Sequence, residues 1–115
     1  MPARDIPHPQ WPTFLADFGQ RHFCWKISLE RKHSGGRRES VSDNGYFLGE
    51  LATNFAAGQQ QIDIVLDEPF CEFRTHVVSN PRRVRVAAEN QDALEIDSAD
   101  GSTVIVRLRQ PDRHP

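Results

Sequence analysis

An α+β fold, one N-terminal helix packed on a bent antiparallel sheet of about six strands, is predicted by two patterns that meet near residue 22. Trp11, Phe14, Leu15, Phe18 and His22 recur at helical spacing. From Phe23 onward, apolar residues alternate with polar ones in short runs separated by turn residues. The 115 residues make a single domain, long enough to bury roughly 60–70% of the surface the unfolded chain exposes. A half-open barrel is the more strongly bent form of the same sheet.

Residues 1–10 hold three of the eight prolines and are expected to be extended or loosely docked. Pro12 suits a first helical turn, and Gly19 weakens the last one. In the first strand Phe23, Trp25, Ile27 and Leu29 are expected inward, with Cys24, Lys26, Ser28 and Glu30 outward. His33-Ser34-Gly35-Gly36 is turn chemistry, and residues 37–42 return as a short second strand. Asp43-Asn44-Gly45 is another turn, after which residues 46–51 fit either a bulged strand or a single helical turn. Ile62, Ile64 and Leu66 mark the inward face of a strand that Glu68-Pro69 ends. Cys71, Phe73, Thr75 and Val77 form the apolar face of the next strand, and Glu72, Arg74 and His76 its polar face. The domain runs over 11–110, and residues 111–115 are expected to be a disordered tail.

The last third is a three-stranded meander. Arg83 and Arg85, then Glu95 and Asp97, then Arg107 and Arg109 occupy its outward positions, so a potentially basic face neutralises itself. Ala99-Asp100-Gly101 fits a three-residue loop with Gly101 left-handed. That loop sets Ile96 against Val104, Leu94 against Val106 and Glu95 beside Ile105, within diagonal reach of Arg107.

Ile6-Pro7, Trp11-Pro12 with Phe14 and Phe18, His22, Trp25, Thr75-His76, Pro81, Val84, Leu94-Glu95-Ile96, Ser98, Asp100-Gly101 and Arg107 together resemble a bacterial family catalogued only as a domain of unknown function. The resemblance spans nearly the whole chain and is most specific over residues 93–101. It implies no activity, cofactor or catalytic residue. The family pattern lacks the two cysteines, which speaks against a role for Cys24 or Cys71.

With 37% hydrophobic and 26% charged residues and a formal charge of −2, the composition gives no whole-molecule attraction to nucleic acid or anionic membrane. No signal-like run and no stretch of about 18 apolar residues is present, so the expected setting is the cytoplasm, with no membrane partner. The two cysteines are expected to be free thiols. His22-x-Cys24 and Cys71-x4-His76 offer zinc-ligand types, but residues five apart on a strand point to opposite faces, so neither metal nor cofactor is expected. Acid–base work by His22 or His76 with Glu95 and Arg107 is a rival reading, since an adjacent carboxylate can orient an imidazole. Nucleic-acid binding through Arg83, Arg85, Arg107 and Arg109 is another, opposed by the charge ladder. The aromatic stripe of Trp11, Phe14, Phe18 and Trp25 has the period of a buried face. The reading adopted is a small non-catalytic interaction or ligand-binding protein. A deep pocket with converging His22, His76 or Glu95 would favour an enzyme, and a flat apolar patch or a homodimer would favour an interaction module.

Overall fold

The computed structural model describes residues 4–42, 46–67, 73–86 and 92–110. In chain order these form β1 (Arg4–Ile6), a 3-10 turn (His8–Gln10), α1 (Trp11–Arg21), β2 (Lys26–Lys32), β3 (Arg38–Ser42), β4 (Phe47–Ala56), β5 (Gln59–Asp67), β6 (Phe73–Ser79), β7 (Pro81–Val86), β8 (Ala93–Ser98) and β9 (Thr103–Arg109). One antiparallel sheet takes all the described strands in the order β1-β7-β8-β9-β2-β4-β5-β6, with β3 beside β2. The α+β class stands, but the sheet has nine strands and not about six. Strand β1 is too short for alternation to reveal it, and residues 47–56 resolve into a long strand with a bulge between Leu48 and Glu50. The turn at 43–45, the strand end at Glu68-Pro69, Cys71 and the tail at 111–115 lie outside the described residues.

A single residue sets the curvature. Strand β6 ends the sheet on one side and β7 is next to last on the other, yet only Asn80, at φ 49°, separates them in sequence. The two ends of the sheet must therefore meet at that corner. Asn80 donates its N–H to the Gln60 carbonyl at 3.2 Å and accepts from Ala99 at 3.0 Å, tying the ends together without a closed ladder. Trp11, Leu15 and Phe18 of α1 join Leu29, Leu48, Ile64, Ile96 and Val106 in the one buried cluster, with Phe14 and Trp25 half-buried at its edge.

The helix is fixed at both ends. The Trp11 indole donates to the Ile6 carbonyl at 2.9 Å, fastening the first turn to β1. Near the C-terminus Gly19 does more than weaken a turn: a Cβ there would lie 3.2 Å from the Leu51 amide nitrogen, so glycine allows helix and β4 backbone to approach this closely.

Two expectations about faces need correcting. The first strand does not start at Phe23, because the chain passes from α1 through a turn in which Cys24 takes φ 66°. Phe23 consequently stands exposed, while Ile27 and Leu29 are buried as expected. On β6, Phe73, Thr75 and Val77 do share a face, but it is the outer one. The register sets His76 opposite Ile64 and Val78 opposite Ile62, so His76 sits in the inward row. Val78, buried in the core, decides the matter over the apolar look of the other face. The β8–β9 hairpin matches its predicted register pair for pair, with Gly101 at φ 89°.

Candidate functional site

Strand β4 pairs with β2 at Phe47 opposite Lys26, is bonded through Leu48 to Cys24 and Trp25 just before β2 begins, and then runs on past β2 beside β5. Helix α1 packs against β4, and beside it lies an open groove of about 720 Å³ lined by Ala16, Gly19, Gln20 and Phe23 from the helix side and Gly49, Glu50, Leu51, Val65, Asp67 and Phe73 from the sheet. At the bulge glycine allows β4 to come close to β5: a Cβ on Gly49 would sit 3.2 Å from the Val65 carbonyl oxygen. The walls are mostly apolar, and two large rings remain open to solvent there, Phe23 at 58% and Phe73 at 70% exposure. Glu50 and Asp67 supply the charge. A concave apolar surface with a few polar groups is the usual form of a binding site, and this volume is within its usual range.

None of the sequence candidates for acid–base chemistry lines this groove. His22 is 3% exposed and packed between the rings of Phe18 and Trp25, at centroid distances of 4.2 and 4.6 Å. Its Nδ1 lies 2.8 Å from the Phe18 carbonyl oxygen and its Nε2 2.9 Å from Asp92 Oδ1. The Phe18 carbonyl can only accept, so Nδ1–H donates to it, and Nε2 is held against the carboxylate. Both ring nitrogens are thus engaged inside the protein, which leaves neither to abstract a substrate proton or bind a metal. The partner expected from sequence, Glu95, is elsewhere, and Asp92 takes that place. The pair joins the end of α1 to the start of β8, whose neighbour β9 is also held there by Leu108 N–H donating to the Asp92 carbonyl at 2.9 Å.

His76 is on the inward face of β6, and its Nε2 is enclosed without a hydrogen-bond partner among the described residues. Burial, and then the charge of Arg31, hold its pKa below the ordinary 6.5. Glu95 is on the other face of the sheet, where its carboxylate meets Arg85 at 2.9 Å. Arg107 is also outward, 3.6 Å from Glu30. The constellation of His22, His76, Glu95 and Arg107 is therefore dispersed over two faces.

The outward face from β1 to β3 carries the charge ladder, extended beyond the three strands expected. Asp5 accepts from Arg83 at 2.9 Å, Arg85 reaches both Glu95 and Asp97 at 2.9 and 3.0 Å, and Glu30 pairs with Arg38 at 3.1 Å. Arg107 takes Glu30 as its partner instead of the diagonal Glu95, because β2 lies on the free side of β9. Arg109 is exposed, opposite Lys26 in register. Of the zinc-ligand types, Cys24 is a free, exposed thiol, and among the described residues no group of three or more His, Cys, Asp or Glu could hold a metal. Among the described residues no helix is long and apolar enough to cross a membrane.

The groove residues were missed because the site exists only where α1 meets the sheet. Its one trace in the sequence is a pair of isolated glycines, Gly19 and Gly49, each inside an otherwise regular element. Scans of the chain against protein-family models, curated proteins and solved structures return no match.

Proposed function

We propose that this protein is a small non-catalytic binding module that holds an apolar group in the groove between α1 and β4–β6. The observation that carries the reading is the pair of phenylalanines, Phe23 and Phe73, kept largely exposed on the walls of an apolar groove. Exposing two such rings costs stability that a bound partner would restore. The enzyme reading needs an imidazole with a nitrogen free in a pocket, and His22 and His76 do not line the groove. The nucleic-acid reading needs a set of uncompensated arginines, and of its four candidates Arg83, Arg85 and Arg107 each face an acid, while Arg109 stands opposite Lys26. Membership of the uncharacterised bacterial family that the motifs resemble, and a cytoplasmic setting in which the exposed Cys24 thiol stays reduced, belong to the same proposal.

Titration with the neutral apolar fluorophore N-phenyl-1-naphthylamine tests it. The wild type should enhance the probe's fluorescence saturably, and the double variant Phe23→Ser/Phe73→Ser should bind about tenfold more weakly or worse while keeping its circular dichroism. No saturable binding by the wild type, or equal binding by the variant, would reject the groove as the site.

A further inference from the structure

The outer surface of β4–β6 differs in charge from the rest of the sheet. Register places Glu50, Ala52, Asp63, Val65, Asp67, Phe73, Thr75 and Val77 on this face. Its charged members are all acidic. Asp63 accepts from the amides of Asn54 and Gln61, whereas Glu50 and Asp67 have no ion pair among the described residues. Arg74, the cation of β6, belongs to the inward row and places its guanidinium 5.7 Å from the Tyr46 ring centroid. Toward β2, Phe47 stands in register between Asp67 and Lys26.

Resting on the proposed function above, we infer that the occupant of the groove is a basic, apolar segment of a protein partner. Glu50 and Asp67 hold its cationic side chain, and Phe23, Val65 and Phe73 receive its apolar neighbours. Complementary charge selects the sign of the ligand: a carboxylate in an apolar groove gains more from an arriving cation than one surrounded by water. The form of the site selects a macromolecule over a small molecule. Its aromatic walls are open, as at interfaces where protruding rings anchor a partner. Phe73 also begins β6, which pairs among the described residues only with β5 and so presents a free edge to an extended segment. Val77, 39% exposed four residues along, continues the same apolar face.

Fluorescence anisotropy with a labelled octapeptide of alternating leucine and arginine, and with its leucine–glutamate counterpart, tests the inference on the full chain. The arginine peptide should bind, the glutamate peptide should not, and Glu50→Gln/Asp67→Asn should weaken the arginine peptide about tenfold or more. Wild-type binding of N-phenyl-1-naphthylamine is measured alongside, so that failure of the peptide alone falls on this inference and not on the broader one. Arginine-peptide binding unchanged in the variant, equal binding of both peptides, binding of dodecyltrimethylammonium without binding of the peptide, or a homodimer that the peptide does not dissociate would each overturn it. If the apolar probe also fails, the groove itself falls and not merely the identity of its occupant.

Discussion

The outer face of β1–β3 and β7–β9 and the outer face of β4–β6 belong to one sheet but treat their charges in opposite ways. On the first, acid and arginine alternate from strand to strand, so Asp5, Arg83, Arg85, Glu95, Asp97, Glu30 and Arg38 all find partners. On the second, acids stand beside exposed apolar residues with no cation of β4–β6 on the same face among the described residues. A ladder of this kind satisfies itself and leaves little to offer another molecule. Among the described residues the other face leaves both apolar area and charge unpaired, and that contrast, more than any single residue, supports the proposed binding surface. It also separates two kinds of phenylalanine, those that hold the fold and those that the fold displays.

That separation gives the largest expected effect. Phe18 is fully buried against the core, so Phe18→Ala should destabilise the domain by about 3–5 kcal/mol through lost transfer energy and the cavity left behind. Phe73→Ala, at an exposed position, should change stability by no more than about 0.5 kcal/mol. Urea melts of both variants check the pair. Comparable losses would mean that Phe73 is structural, and the face it stands on would then no longer be a surface kept open for a partner.

The same two residues show how far the sequence could be read. Phe18 is at helical spacing from Trp11, Phe14 and Leu15, and periodicity alone marks it as core. The β8–β9 hairpin was equally legible, since turn chemistry at Asp100-Gly101 and the alternation of Leu94 and Ile96 require one register. Phe73 was not. Its alternation with Thr75 and Val77 tells which residues share a face but not which face is inward. The choice is made by pairing across β5, where Val78 opposes Ile62 and draws His76 into the inward row. The groove was further out of reach, because it depends on β4 running on past the start of β2 and on α1 settling beside it. Non-local pairing of this kind has no local signature beyond the two glycines.

His76 gives the next test, because its inward position makes stability depend on pH. Its folded-state pKa is lowered, first by burial and then by Arg31. Between that value and the ordinary 6.5 the unfolded chain binds more protons than the folded one, so stability rises with pH through this window. It is fully present above 6.5 and is lost as pH falls toward the folded value. Asp100, its carboxyl held below the ordinary 3.8 by the Ser102 hydroxyl and N–H, contributes stability that is present above 3.8 and is lost as pH falls below it. Urea midpoints recorded above and below 6.5 should therefore fall for the wild type and fall less for His76→Leu. Identical pH dependence in both would return His76 to the outer face and reverse the assignment of β6.

The smallest effect is expected on the ladder, where it is most informative about function. Arg107→Gln removes one of two cations around Glu30, but Glu30 keeps Arg38 at 3.1 Å, and Arg107 itself is half exposed at 52%. Solvent screening and the remaining partner should limit the loss to a few tenths of a kcal/mol. Glu50→Gln on the other face breaks no ion pair among the described residues and should be neutral within about 0.5 kcal/mol. The two substitutions diverge in binding. Arg107→Gln should leave the arginine peptide's affinity unchanged, while Glu50→Gln should weaken it, because only the second removes a charge without an ion pair among the described residues. The same variant also probes the rival account of the arginines. Measurable binding of the wild type to DNA or RNA, weakened by Arg107→Gln and falling steeply with salt, would mean that the ladder's cations are available to phosphate. The paired face would then be the working surface, and the contrast between the two halves of the sheet would lose its functional meaning.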